Sequence, residues 1–79
     1  MKPHEHDALD QEIIETIRRK LKHYRHQRGW TQEDLARAAG LPWSTVNAIE
    51  QGRSSPRMRT LVLMARALDI APSELLAGL

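Results

Sequence analysis

A chain of 79 residues forms one domain at most and buries a limited core, so pairing with a second copy is a natural source of stability. It has no cysteine, which excludes a disulfide scaffold and thiolate metal sites and fits a reducing compartment. The net charge of +2 is unevenly divided: Lys2 stands against five acids over residues 1–16, and eleven bases stand against five acids over residues 17–79. A basic body with a small acidic head suits a polyanionic partner, although an arginine-rich solvated surface has the same composition.

No apolar run approaches the roughly 20 residues of a membrane span, and "MKPHEHDALD" lacks the apolar core of a signal peptide. A soluble, cytoplasmic protein without membrane contact is expected. Strand-like alternation is absent and apolar residues recur at helical spacing, so the fold class is all-α. Residues 1–9 read as a flexible N-terminal segment and residues 10–79 as the folded domain.

Helix one is expected from about Asp10 to Arg28, with Leu9, Ile13, Ile14, Ile17, Leu21 and Tyr24 on one face and Gly29 as its stop. Thr31 caps helix two, and Asp34 stands at capping-box spacing. Leu35, Ala36 and Ala39 supply its buried side, and Gly40 permits a left-handed ending. Helix three covers about residues 42–51. "LP" marks its start, Val46 and Ile49 face inward, and Gly52 ends it. Pro42 brings no side-chain acceptor to that start, which weakens it by about 1 kcal/mol and leaves amides free for a phosphate. Helix four follows the turn "GRSSPR" and runs over about residues 57–68, burying Leu61, Val62, Met64, Ala65 and Leu68 in part. Pro72 opens a short fifth helix, "PSELLAGL".

Two short helices joined at a glycine, with alanines where they approach, make a helix-turn-helix unit. "GWTQEDLARAAGLPWSTVNAIEQGRSSP" closely resembles the lambda-repressor/Cro-like (XRE) family of DNA-binding domains, and the likeness continues through "TLVLMARALDIAPSELL". The resemblance implies a compact five-helix domain whose third helix enters the major groove of double-stranded DNA. It also implies a homodimer on an inverted-repeat operator, acting as a transcriptional regulator and repressor.

With Val46 and Ile49 inward, the 100° turn per residue points Trp43, Ser44, Asn47, Ala48 and Gln51 outward. Base contacts are therefore expected from Trp43, Ser44, Asn47 and Ala48, with Asn47 suited to adenine and an indole suited to a thymine methyl or a sugar. A second placement of Trp43, folded back onto helix two, stays open. From the resemblance, Gln32, Gln51, Arg53 and Arg57 are the phosphate contacts, Gln51 through its backbone amide. Arg19, Lys22 and Arg37 are weaker candidates. The resemblance also implies a partly buried ion pair, Arg25 with Glu50, joining helix one to helix three. Trp30 and Tyr24 read as core. Dimer contacts are expected from Leu75, Leu76 and Leu79, with Leu9 and Ile13 as the second candidate.

No nucleophilic cysteine, G-x-S-x-G, phosphate loop or HExxH is present, so an enzyme is not expected. His4 and His6 flank Glu5, and His23 and His26 share a helix face, but neither pair has a third ligand by sequence. No metal, cofactor or small-molecule ligand is expected. With no ligand-binding or cleavage domain beside it, the domain is expected to respond through its concentration, its dimerisation or a partner. The alternative reading is a protein-interaction module, such as an antitoxin or adaptor, whose partner covers Trp43 and does the work.

Overall fold

A computed structural model describes the backbone of residues 3–79 and the side-chain surroundings of residues 7–79. Among these residues are four α-helices and one short 3-10 helix: α1 Pro3–Gln27, α2 Gln32–Ala39, α3 Trp43–Glu50, α4 Met58–Ala67 and the 3-10 helix Pro72–Leu76. The expected fifth helix is therefore not an α-helix. Its five residues follow Ala71, which brings no side-chain cap, and they tighten into a single 3-10 stretch.

α1 begins at Pro3, seven residues ahead of the expected start, so it runs through most of the segment read as flexible. Met1 and Lys2 lie outside the described residues. Proline suits a first helical position, and the acids that follow suit the positive end of the helix dipole. Side chains 7–12 are exposed, so this first part of α1 receives no core support.

Ile17 and Leu21 of α1 meet Leu35, Ala36 and Ala39 of α2, Val46 and Ile49 of α3, Leu61, Met64 and Ala65 of α4, Leu68 just after it, and Leu75 in one core. Full burial of each large aliphatic side chain contributes about 1.5–3 kcal/mol. α2 packs against α3 and α4, while α1 packs against α3 and the 3-10 helix. Tyr24 and Trp30 lie against this core half-buried rather than inside it. The Tyr24 hydroxyl donates to Glu74 Oε2 at 2.9 Å, tying α1 to the 3-10 helix.

The α-helices share one way of stopping. Each is closed by two amides that turn back, as with Gly52 N–H to Ile49 O at 3.1 Å and Arg53 N–H to Ala48 O at 3.0 Å after α3. The closure needs one residue at positive φ, supplied by Gly52 at 74° after α3. After α4 the same role falls to Asp69 at φ 56°, one of the few residue types that tolerate this region.

Candidate nucleic-acid interface

α2 and α3 form the helix-turn-helix. The start of α2 is closed on both sides: Thr31 Oγ1 accepts from Asp34 N–H at 3.1 Å, and Asp34 Oδ2 accepts from Thr31 N–H at 2.9 Å. The Thr31 amide, then its hydroxyl, hold the Asp34 carboxyl below its ordinary pKa. Gly40 at φ 70° reverses the chain toward α3.

α3 has a held side and an open side. Val46, Ile49 and Glu50 are buried. On the open side Trp43 is 50% exposed and Ser44 is exposed, with Ala48 half-buried beside them. Trp43 is therefore not a core residue. Ser44, Thr45 and Ala48 line a shallow groove of about 430 Å³ whose other wall is Ser54, Ser55, Pro56 and Arg57.

The buried carboxylate of Glu50 is the anchor. Arg25 donates to it twice, Nε to Oε2 at 2.7 Å and Nη2 to Oε1 at 2.8 Å, while Arg25 Nη1 reaches Trp30 O at 2.8 Å. Gln32 Nε2 adds a third donor to Oε1 at 3.1 Å. From there the bonding runs outward: Asn47 Nδ2 donates to Gln32 Oε1 at 3.0 Å, and Arg53 Nη2 donates to Asn47 Oδ1 at 3.0 Å. Gln32, Asn47 and Arg53 thus meet at one edge of α3, with Asn47 half-buried and engaged at both ends of its amide. Arg57 lies exposed across the groove.

Two expectations change on this geometry. Gln51 caps α3 with its own backbone amide bonded to Asn47 O at 2.9 Å, so that amide is not free for a phosphate. Leu75 has 0% exposure and is filled around by its own chain, so it offers no surface to a second copy. Leu76 is half-buried, whereas Leu79 and Leu9 are exposed at 54% and 51%.

Arg18 was not singled out by sequence. Its Nε donates to Glu50 O at 3.1 Å, and its stem packs where a Cβ on Gly52 would sit. Arg18 and Arg25 are seven residues apart, two turns on one face of α1, and this spacing is the signal that pairs them. Among the described residues no group of three possible metal ligands comes together, and no helix is long and apolar enough to cross a membrane. The side chains of His4, Glu5 and His6 lie outside the described residues.

Residues 21–75 match the helix-turn-helix family. The chain belongs to that family, in its XRE or lambda-repressor-like class. Within this helix-turn-helix family it is 33% identical over 67 residues to a hypothetical transcription factor of Neisseria meningitidis, covering 85% of this chain and 63% of that one. It is 38% identical over 54 residues to an uncharacterized helix-turn-helix transcriptional regulator of Methanocaldococcus jannaschii, covering 68% of this chain and 82% of the relative. The fold is similar to that of the restriction-modification controller protein C.AhdI from Aeromonas hydrophila, with TM-score 0.75 and 33% identity over 81% of this chain and 96% of that one.

Proposed function

We propose that this chain is a sequence-specific, double-stranded DNA-binding transcriptional regulator that lays α3 in the major groove. The observation that carries this reading is the open side of α3. Trp43, Ser44 and Ala48 face outward on a helix anchored from behind, and no acid is exposed among them. The base-reading surface is Trp43, Ser44 and Ala48, apolar and hydroxyl groups suited to thymine methyls and base edges. Gln32, Arg53 and Arg57 take the phosphates. Gln32 spends one Nε2 hydrogen on Glu50 and keeps the second for DNA.

The working form is a homodimer acting as a repressor on an inverted repeat in the cytoplasm. Exposed Leu79, with Leu76 beside it, supports pairing through the C-terminal end. The relatives named for transcriptional regulation and restriction-modification control support a transcriptional regulator.

Selection of bound duplexes from a random library at moderate salt tests the proposal. An enriched inverted repeat with half-sites about one helical turn apart is expected, with binding that weakens steeply as salt rises. A folded protein that enriches no duplex would overturn the reading in favour of a protein partner seated on Trp43.

A further inference from the structure

The bonds from Glu50 outward have a direction. A carboxylate only accepts, so Gln32 must turn its NH₂ toward Glu50 and its oxygen away. That oxygen requires a donor, so Asn47 must turn its NH₂ inward and its oxygen outward. The outward oxygen requires another donor, and the guanidinium of Arg53 can only donate. An amide's orientation is ordinarily ambiguous, but here an acceptor-only group at one end and a donor-only group at the other fix both amides. The backbone also brings Arg53 close to Asn47, since the closure of α3 returns the Arg53 amide to Ala48 O.

We propose that Asn47 is a positioning residue rather than a base reader. It holds the Arg53 guanidinium at the edge of α3 in the free protein, so that Arg53 meets the DNA backbone already ordered. Asn47 lies on the outward side of α3, yet a two-point contact with adenine needs both of its amide atoms turned to one base, and each already holds a protein partner that fixes the amide's orientation. The buried Arg25–Glu50 pair thereby aims a surface cation about three links away. The proposal rests on the reading of Arg53 as a phosphate contact. Ordering a rotamer-rich side chain before binding rather than during it is worth about 2- to 10-fold in Kd.

The test combines two measurements on wild type, Asn47→Ala, Asn47→Leu, Arg53→Ala and the Asn47→Ala/Arg53→Ala double variant. The leucine variant is near-isosteric and guards against collapse of the site. In the free protein, ¹⁵N relaxation of the Arg53 Nε–H is expected to report a restrained side chain that becomes mobile in both Asn47 variants. Equal mobility in wild type and variants would overturn the proposal whatever the protein binds. On a selected duplex, both Asn47 variants are expected to weaken binding about 2- to 10-fold with the base preference unchanged. The double variant is expected to bind no worse than Arg53→Ala alone. Loss of preference at one base pair, or effects of Asn47 and Arg53 that multiply, would overturn it. Failure of the DNA reading shows separately, as no enriched duplex while the Arg53 restraint persists in the free wild type; unaltered duplex binding in Arg53→Ala would overturn the proposal itself.

Discussion

The two helices of the helix-turn-helix begin in opposite ways. α2 opens with a reciprocal pair of bonds between Thr31 and Asp34. α3 opens at Pro42, which is extended and makes no side-chain cap. An eight-residue helix is far too short to hold itself in water. α3 is therefore held from its inner side and its far end, by Val46, Ile49 and above all Glu50. The difference teaches that α2 is a finished support, while α3 is left unfinished at the end it presents outward.

Breaking the far-end anchor has the largest expected effect. Arg25→Ala leaves Glu50 buried with its charge uncompensated, and a loss of about 3–5 kcal/mol is expected from denaturant midpoints. Arg25→Lys should recover little, because a lysine cannot supply two parallel bonds to the carboxylate and a third to Trp30 O. A loss below about 1 kcal/mol for Arg25→Ala would mean that α3 is held by its apolar side alone.

Much of this arrangement is legible in the sequence, because it depends on local chemistry. The cap at Thr31, the turns at Gly29, Gly40 and Gly52, and the inward pair Val46 and Ile49 follow from residue type and spacing. The Arg25–Glu50 pairing spans 25 residues and was available only through family resemblance. The links Gln32–Asn47 and Asn47–Arg53 were not legible, since periodicity assigns a residue to a face but does not say which neighbour occupies its amide. The left-handed Asp69 was missed because aspartate marks that conformation only weakly. Leu75 was read as surface because a five-residue 3-10 helix has no periodic face to read.

The open end of α3 can be broken without touching the anchor. Trp43→Ala is expected to cost about 1–2 kcal/mol of stability, well below Arg25→Ala, since about half of the residue is already in solvent. Its affinity for a selected duplex is expected to fall on the scale of one mismatched base pair, about 1–3 kcal/mol. Calorimetric melting beside a binding titration separates the two. Repairing the starts sharpens the comparison further. Thr31→Ala should cost about 1 kcal/mol of stability. Pro42→Ser should leave stability nearly unchanged, because a gained cap of about 1 kcal/mol is offset by about 0.4–1 kcal/mol of restored freedom in the unfolded chain. A full kcal/mol gained in Pro42→Ser would show that the uncapped start is a cost the fold carries.

The smallest effect expected is one of pH. The Thr31 amide and hydroxyl hold the Asp34 carboxyl below its ordinary value, so the folded state prefers the ionised form. A group depressed on folding stabilises the protein above its unfolded pKa, near 4 for aspartate, and that contribution disappears as pH falls through the lower folded value. Asp34→Asn keeps the shape of the cap and removes the titration. The advantage of wild type over Asp34→Asn is therefore expected to be level from pH 7 to about 5 and to shrink below about 4, read as urea midpoints across the range. α3, whose start has no carboxylate, should contribute nothing to that slope, so the same series on Pro42→Ser should run parallel to wild type. A difference that grew on acidification would mean that Asp34 does not serve as the ionised half of the cap, and the two helix starts would then be less unlike than their geometry makes them.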